Sequence, residues 1–285
     1  MYTPNPRHVH SLDDVRRFPL EDDDLIIAGF PRSGTNWIQV IVANLWDDWS
    51  TTQSEHKRVP NISGASVGDE ESSDERFLEG YEGYASCIAV GPPRLMKCHL
   101  PPELMPVRWP DHGKVLHISR NPKDVCVSYF HMTQTASALG HSAAVRSELE
   151  RYVDQFVRGE VPYGPYLDHM LEWYKLDSRN LLRVTYEAVK ADTLGFVKQL
   201  VDFVGKPVSP ARIEEIVSKS EFNNMRKNEL TDQINVPHVF RDRANQFMRK
   251  GIVGGWKSEL TVQMSELIDD VIVARLAENG IVFDD

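Results

Sequence analysis

The chain has few cysteines, no long apolar run and no apolar segment near its first residue. Cys87, Cys98 and Cys126 are too few for a disulfide framework, and none belongs to the Cys-x-x-Cys pair typical of metal sites. No stretch of about 18 apolar residues is present, so we expect no membrane-spanning helix. The first eight residues lack the apolar core of a signal peptide. These absences favour a cytoplasmic protein with reduced thiols and no membrane partner.

Basic residues are fewer than acidic residues. The 32 lysines and arginines are outnumbered by 42 aspartates and glutamates, which leaves a net charge of -10 at pH 7. General nucleic-acid binding requires a basic surface that displaces counterions, so this balance argues against a nucleic-acid partner. An anionic small ligand is still compatible with it, because a binding site responds to the charges near it.

Apolar runs alternate with amphipathic segments along the chain, which predicts strands alternating with helices. The predicted strands are residues 25–30, 94–99, 114–119 and 181–186. The predicted helices are residues 37–45, 122–132, 148–157, 166–176, about 191–204, 210–219 and 262–277. This order is typical of an α/β fold with a central, mainly parallel sheet flanked by helices. We expect a single domain over 1–285, with an irregular loop at 51–83 that covers a binding site.

The segment after the first predicted strand has the composition of a phosphate-binding loop. Gly29 and Gly34 are separated by four residues, as in the P-loop of nucleoside triphosphatases. Such a loop directs backbone N–H groups and a helix N-terminus at one anion. The pattern then departs from a P-loop, because Thr35 and Asn36 replace Lys-Ser/Thr and the positive charge is Arg32. This departure argues for an anionic donor other than a nucleoside triphosphate.

Three segments carry polar side chains to the expected carboxyl ends of the strands, where ligands of open parallel sheets bind. These segments are residues 32–35, 97–99 and 120–128, which together contain two arginines, lysines, a histidine and hydroxyl groups. Asn121 and Pro122 suit the cap and the first position of a helix, which places a second helix N-terminus there. The set fits a ligand that carries two separate anionic groups.

Four motifs resemble those of the cytosolic sulfotransferases and occur in the order that this family has. Residues 30–37 (FPRSGTNW) are similar to the 5′-phosphosulfate loop, and residues 97–101 (KCHLP) to the segment with the catalytic histidine. Residues 120–129 (RNPKDVCVSY) resemble the 3′-phosphate motif, and residues 249–257 (RKGIVGGWK) the late glycine-rich signature. The resemblance extends from about residue 20 to the last residue and implies the P-loop-like sulfotransferase fold.

The resemblance implies transfer of a sulfuryl group from 3′-phosphoadenosine 5′-phosphosulfate (PAPS), which becomes 3′-phosphoadenosine 5′-phosphate (PAP). The acceptor would be a hydroxyl or amine of a small hydrophobic molecule, such as a phenol, steroid, alcohol or biogenic amine. The residues implied for the 5′-phosphosulfate are Arg32, Ser33, Gly34, Thr35 and Asn36. Those implied for the 3′-phosphate are Arg120, Ser128, Arg249, Lys250 and Gly251. Those implied to lie near the adenine are Trp37, Tyr186, Ser220 and Phe222.

The resemblance makes His99 the general base and adds Arg32, Lys97 and Ser128 to the catalytic residues. An imidazole can accept a proton at neutral pH, whereas lysine and arginine side chains are fully charged there. Arg32 and Lys97 would neutralise charge on the transferred group and the leaving phosphate, so no metal is expected. The family usually has lysine at position 32. Guanidinium is too weak an acid to donate a proton to the leaving phosphate, but that group is itself a stabilised phosphate, so bidentate charge stabilisation can be enough. We expect activity to survive, and the sequence leaves the effect on the rate open.

The resemblance also implies an apolar acceptor pocket and a dimer. The residues implied for the pocket are Met132 and Phe240, with Phe247 close by. Independently of the resemblance, we expect Phe77 of the irregular loop at 51–83 to close the pocket. Arg241, which follows Phe240, would favour an acidic group on the acceptor or point to solvent. Residues 257–266 match the family's short dimerisation motif, with Lys, Thr-Val and Glu in the matching positions, and imply a homodimer.

Two other functions stay open at this point. A non-catalytic nucleotide-binding protein on the same fold is favoured by arginine at position 32 and differs from an enzyme in lacking turnover. A P-loop kinase would use ATP with magnesium, and the missing Lys-Ser/Thr argues against it. Each residue above is also compatible with ordinary packing when it is taken alone. Their joint order is what favours the sulfotransferase hypothesis.

Overall fold

One sheet of four parallel strands lies at the centre of the computed structural model, which describes residues 15–45, 92–137, 145–227 and 250–284. The strands are β1 (Leu25–Ala28), β2 (Leu95–Cys98), β3 (Lys114–Ser119) and β4 (Leu181–Thr185). Their spatial order is β2-β1-β3-β4, and every pairing is parallel. The predicted parallel sheet is therefore confirmed. The predicted covering loop at 51–83 lies outside the described residues.

The helices of the described residues match the predicted ones, with two additions. They are α1 (Thr35–Leu45), α2 (Pro122–Ser137), α3 (Val145–Val157), α4 (Tyr166–Lys175), α5 (Tyr186–Ala191), α6 (Thr193–Val204), α7 (Pro210–Lys219), α8 (Phe222–Lys227), α9 (Val262–Ile268) and α10 (Ala274–Glu278). The sequence pattern did not predict α5 and α8. Within the described residues, no helix is both long enough and apolar enough to cross a membrane.

Side-chain caps explain where several helices begin. The Ser209 hydroxyl caps α7, accepting a hydrogen bond from the backbone N–H three residues later at 3.3 Å. The Thr185 hydroxyl makes the same contact with Ala188 N at 3.1 Å. The predicted fourth strand extended to Tyr186. It ends at Thr185 instead, because the Thr185 cap starts α5 at the next residue.

The last predicted helix, 262–277, is interrupted in the structure. A five-residue π-helical segment, Asp269–Val273, separates α9 from α10. π-helical turns are rare and occur mostly as short interruptions of α-helices. Asp269 lies at the start of this segment and forms an ion pair with Lys123 of α2 at 2.7 Å. This ion pair joins the C-terminal helices to the start of α2.

Apolar side chains cover both faces of the sheet, because successive residues of a strand point to opposite sides. Leu25 and Ile27 of β1 pack with α1, α5, α6 and α7. Ile26 and Ala28 pack on the other face with β2, β3 and α4. A third cluster surrounds Phe30, among α2, α3, α4 and the C-terminal helices. The chain just after β1 is therefore held from several directions.

The strand register brings four chain segments to one edge of the sheet. Ala28 lies opposite Cys98 and His117, and Ser119 lies opposite Thr185. The residues that follow each strand therefore meet at the carboxyl edge. The chain runs from β1 to β2 on one side and then crosses to β3 on the other, so the strand order reverses at β1. Ligands of open parallel sheets bind at such a reversal.

Candidate nucleotide-binding and active site

The loop between β1 and α1 has a backbone conformation that few residue types tolerate. Arg32 has φ 72° and Gly34 has φ 110°, both in the left-handed region. A Cβ on Gly34 would come within 2.8 Å of the Tyr186 ring. Ser33 N donates to Phe30 O at 3.1 Å, which closes the turn before α1 starts at Thr35. This tight turn in front of a helix N-terminus is an arrangement that binds anions.

The Arg32 side chain joins this loop to α2. Its Nε donates to Ser128 Oγ at 3.1 Å, and its backbone carbonyl accepts from Arg120 Nη1 at 3.4 Å. Two arginines and a serine, predicted from separate motifs, therefore lie within one hydrogen-bonded group. Their positive charges are concentrated at the carboxyl edge of the sheet.

Lys97 and His99 approach the same loop from β2. Lys97 is 3% exposed, and its Nζ donates to Asn36 Oδ1 at 2.9 Å. His99 Nδ1 lies 2.5 Å from the carbonyl oxygen of Gly29. Since a carbonyl oxygen only accepts, Nδ1 carries the hydrogen and the lone pair of the neutral ring is on Nε2. This is the tautomer that accepts a proton at Nε2.

The turn between β3 and α2 is built mainly from side chains. Asn121 Oδ1 accepts from Lys123 N at 3.0 Å, and Pro122 starts the helix, as predicted. Asn121 N donates to Glu187 Oε1 at 2.9 Å, and burial raises the pKa of Glu187 above its ordinary value. Tyr166 Oη donates to the carbonyl of Arg120. Contacts from β4–α5 and α4 thus fix the residue that follows β3 and those that begin α2.

The aromatic residues predicted near the adenine lie together. The rings of Trp37 and Tyr186 meet edge to face with centroids 5.2 Å apart. Trp37 Nε1 donates to the backbone carbonyl of Ser220 at 2.9 Å. Gly251 has φ 62°, and a Cβ there would come within 2.3 Å of the Phe222 ring. The structure therefore brings α1, α5, the end of α7 and the glycine-rich segment into one group.

Lys250 has its contacts at the surface. Its Nζ donates to Ser258 Oγ and to Glu259 Oε1, each at 3.1 Å, and its side chain is 41% exposed. Both partners of Lys250 lie C-terminal to the glycine-rich segment. Arg120, in contrast, donates to the carbonyls of Arg32 and Ile252, so the described contacts do not bring Lys250 and Arg120 together. Arg249, predicted to act beside it, lies outside the described residues.

Two buried histidines support the site and were missed by the sequence analysis. The His169 ring of α4 lies 5.5 Å from the Phe30 ring and 5.8 Å from the His117 ring of β3. Burial, and to a lesser degree the neighbouring His99, lowers the pKa of His169 to about 3. Burial also lowers the pKa of His117 well below its ordinary value. Both rings are therefore neutral, and they pack beside Phe30 and Trp173 in the interior next to His99.

On the expected acceptor side, the described residues contribute two side chains. Met132 of α2 is partly buried against the cluster around Phe30. The Tyr163 ring meets the His99 ring edge to face at 5.3 Å, and Tyr163 has φ 69°, an uncommon value for a tyrosine. The sequence analysis did not select Tyr163, although the following glycine marked a turn. The other predicted pocket residues lie outside the described residues: Phe77, Phe240 and Phe247.

The residues present fit a ligand with two phosphate-like groups. Ser33 Oγ and Arg120 Nε are buried and have no hydrogen-bond partner within the part of the chain that the structure describes. Buried polar atoms are normally paired, so anionic oxygens would complete this site. Two helix N-termini, two arginines and a lysine can bind a doubly anionic nucleotide. The described ranges contain no cluster of three or more His, Cys, Asp or Glu side chains suited to a metal.

Comparison with known proteins shows the family to which this parallel sheet and its charged carboxyl edge belong. The sulfotransferase domain family matches residues 22–280 of the chain. The sequence is 30% identical to sulfotransferase 1E1 of Bos taurus over 92% of this chain and 86% of that protein. It is 31% identical to sulfotransferase 1A1 of Bos taurus over 94% of this chain and 88% of that protein. The chain therefore belongs to the sulfotransferase domain family.

Solved structures confirm the predicted fold. Retinol dehydratase in a complex with retinol and PAP superposes with a TM-score of 0.82 at 23% identity, over 99% of this chain and 89% of that one. Mouse sulfotransferase SULT7A1 complexed with PAP superposes with a TM-score of 0.73 at 23% identity, over 94% and 90% of the two chains. The predicted family, the α/β fold and the enzyme class of PAPS-dependent sulfotransferases are confirmed.

Proposed function

We propose that the protein transfers a sulfuryl group from PAPS to the hydroxyl or amine of a small hydrophobic acceptor, with His99 as general base. The observation that carries this proposal is the hydrogen bond between His99 Nδ1 and the carbonyl of Gly29. It leaves the proton-accepting lone pair on Nε2 and ties the imidazole to the loop that begins the donor site. This bond links the proposed base to the start of the proposed donor loop.

PAPS supplies the sulfuryl group when bound, and the residues of the chain bind and orient the reacting groups. In this proposal the loop at 32–36 binds the 5′-phosphosulfate, and Arg120 binds the 3′-phosphate. Arg32 and Lys97 hold positive charge where negative charge develops during transfer. Ser128 accepts the hydrogen bond from Arg32 Nε and so orients the guanidinium. Aromatic contacts between Trp37 and Tyr186 support the adenine side.

The acceptor is proposed to bind beside the His99 ring. Tyr163 meets this ring edge to face, and Met132 lies on the adjoining helix α2. The solved retinol dehydratase complexes contain retinol or androsterone together with PAP, and both ligands are small and hydrophobic. Because retinol dehydratase has the same fold as this protein, these complexes support a small hydrophobic acceptor here. Phe77, Phe240 and Phe247 complete the apolar pocket in this proposal.

A His99→Gln variant tests the assigned base. Purified protein is incubated with PAPS and a panel of phenols, steroids, aliphatic alcohols and biogenic amines, and sulfated product is measured. We expect kcat to fall by about 100- to 10,000-fold, because the proton of the acceptor is no longer removed by a positioned base. The dissociation constant of PAP, measured by calorimetry, is expected to stay within about twofold, since His99 is not a ligand of the nucleotide in this proposal.

A His112→Gln variant is the matched control. His112 is a partly exposed histidine paired with Asp22, and it precedes β3, at the opposite end of that strand from Arg120. Its kcat is expected to equal that of the unmodified protein. Undiminished turnover of His99→Gln would remove His99 as the base. PAP binding without turnover of any acceptor would favour the non-catalytic nucleotide-binding function, for which Arg32 in place of lysine is the supporting observation.

We further propose that the single domain forms a homodimer through residues 257–266. Thr261 caps α9 by accepting from Met264 N at 3.2 Å, and the next residue, Val262, is 74% exposed. An exposed apolar side chain on a fixed helix start suits a small self-complementary patch. Light scattering at micromolar concentration measures this state, and a monomeric mass would contradict it.

A further inference from the structure

Asp124 joins two segments that the sequence separates widely. Its carboxylate is 1% exposed on the first turn of α2. Oδ2 accepts from Gly254 N at 2.9 Å and Oδ1 accepts from Trp256 N at 3.0 Å. Oδ2 also lies 3.5 Å from Arg120 Nη2. A buried carboxylate is costly without partners, and these two hydrogen bonds and the ion pair with Arg120 satisfy it.

The guanidinium of Arg120 is held by the same two segments. Nη2 donates to the carbonyl of Ile252 at 3.0 Å, in the segment whose N–H groups bind Asp124. The guanidinium carbon lies 4.2 Å from the centre of the Tyr186 ring, a stacked cation–π contact. Arg120 is therefore fixed between the 252–256 segment, Asp124 and Tyr186. Its orientation depends on where that segment lies.

A carboxylate beside an anion site needs an explanation. Negative charge next to Arg120 opposes the binding of a phosphate, and the acidic residue also suits the dipole of α2. A dipole role alone requires neither the two backbone hydrogen bonds to 254 and 256 nor the pairing with Arg120. Through these contacts Asp124 connects Arg120 to the glycine-rich segment.

From this geometry we infer that Asp124 is a positioning residue that holds residues 252–256 against Arg120 and thereby shapes the 3′-phosphate site. The inference rests on the proposed function, in which Arg120 binds the 3′-phosphate of the nucleotide. Asp124 itself does not contact the nucleotide. Its removal is expected to affect the part of the affinity that comes from the 3′-phosphate.

Comparing two nucleotides isolates that part of the affinity. The dissociation constants of PAP and of adenosine 5′-monophosphate, which lacks the 3′-phosphate, are measured by calorimetry for the full chain and for Asp124→Asn. Asparagine keeps the shape but has only one acceptor oxygen and no charge. We expect PAP to bind about tenfold more weakly and the monophosphate to change by less than about twofold. The preference for PAP therefore falls, while kcat at saturating PAPS stays within about twofold.

Asp192→Asn is the control for a general loss of stability. Asp192 also accepts a backbone hydrogen bond with its carboxylate, from Gly195 N at 2.8 Å, but at the start of α6. Its preference for PAP is expected to equal that of the unmodified protein. If circular dichroism shows that Asp124→Asn is unfolded, Asp124→Ser, which keeps a smaller acceptor, replaces it with the same expected change in preference.

The outcomes separate this inference from the proposed function. Failure of the unmodified protein to prefer PAP would overturn the proposed nucleotide site itself. A preference for PAP that survives Asp124→Asn unchanged would overturn the positioning role alone. Equal weakening of both nucleotides would also overturn it, because a purely structural role predicts that result. A selective loss for PAP supports the inference.

Discussion

The β1–α1 loop and the β3–α2 turn both place a helix N-terminus at the carboxyl edge, but they are built differently. The first depends on backbone conformation, with Arg32 at φ 72° and Gly34 at φ 110°. A side chain on Gly34 would collide with the Tyr186 ring. Within residues 29–34 no carboxylate is present. In the proposed function this loop binds the 5′-phosphosulfate through close approach of its backbone.

The β3–α2 turn depends on side chains from distant elements. Asn121 caps the helix, while Glu187 and Asp124 receive backbone hydrogen bonds from this turn and from the glycine-rich segment. Arg120 stacks on Tyr186. Two buried carboxylates beside a proposed phosphate site are a cost that the backbone loop avoids.

If both turns bind anions as proposed, they do so by two different physical means. A glycine-containing loop presents N–H dipoles and has little tolerance for added atoms. A side-chain turn presents a guanidinium fork whose direction is set by acceptors around it. We therefore expect the first site to be sensitive to glycine substitution and the second to arginine substitution.

Replacing Gly34 by alanine is expected to cause the largest loss of PAP affinity. The added Cβ would meet the Tyr186 ring at 2.8 Å on a backbone with φ 110°. Strain and the collision move the loop, so we expect the PAP dissociation constant to rise by about 100-fold or more. Calorimetry measures the change.

Gly205→Ala is the matched control for Gly34→Ala. Gly205 ends α6 with φ 78°, and nothing lies within 4 Å of the point that a Cβ would occupy there. The same backbone strain then lowers the free energy of unfolding by about 1 kcal/mol without changing PAP affinity. An unchanged PAP affinity in Gly34→Ala would show that close backbone approach is not what this loop contributes.

Arginine-to-lysine substitutions are expected to have a larger effect in the β3–α2 turn than in the β1–α1 loop. Arg120→Lys loses the forked contacts to Ile252 and Arg32 and the stack on Tyr186, so we expect about a tenfold weaker PAP affinity. Arg32→Lys can still donate to Ser128 and is expected to change kcat/KM by less than about threefold. Calorimetry and initial rates measure the two effects.

Arg275→Lys serves as the control for this comparison. Arg275 is an exposed residue of α10 that pairs with Glu278 at 3.0 Å. No change in PAP affinity or rate is expected. If Arg32→Lys weakened PAP binding as much as Arg120→Lys does, the two turns would not differ in their need for arginine.

The buried histidines His117 and His169 predict that the free energy of unfolding decreases at acidic pH and is unaffected by them at neutral pH. The pKa of His169 is lowered to about 3 in the folded protein, so below pH 6.5 the unfolded chain binds the proton more readily. Stability is full above that pH and falls by about 1.4 kcal/mol per pH unit between about 6.5 and 3 for this residue. His117 adds to the slope in the same direction.

Urea unfolding at several pH values measures this slope. His169→Phe removes one titrating group and is expected to flatten it. Phe156→Leu, in the cluster next to the same site, should lower stability equally at every pH and leave the slope unchanged. An identical slope in His169→Phe would show that His169 is not a source of the acid effect.

Much of the fold was predictable because it depends on short-range patterns. The run at 114–119 predicted β3 with the same bounds that the structure has, and the Asn121–Pro122 pair predicted the start of α2. The α5 helix was missed because its cap, Thr185, lies inside an apolar strand pattern. The break between α9 and α10 was missed because the apolar period continues through it.

The candidate site was predictable as a set of segments, whereas its atomic connections were not. The four motifs contained the residues predicted for the phosphate groups and for catalysis. The assigned roles, the single domain, the dimer and the cytoplasmic location stay predictions. Tyr163 and His169 gave no signal as motif residues, since an isolated tyrosine or histidine is common in cores. Asp124 lies in the motif at 120–129, but nothing in the sequence indicated its hydrogen bonds to residues 254 and 256.

Residue order alone determined the strands, most helices, the family and the two turns, because each depends on neighbours within a few positions. Only the tertiary structure decided which nitrogen of His99 bears the hydrogen, because Gly29, which accepts it, is 70 residues away. It also decided that Asp124 binds N–H groups 130 residues later in the chain. A hydrogen bond needs two atoms about 3 Å apart, and packing of the whole chain sets that distance.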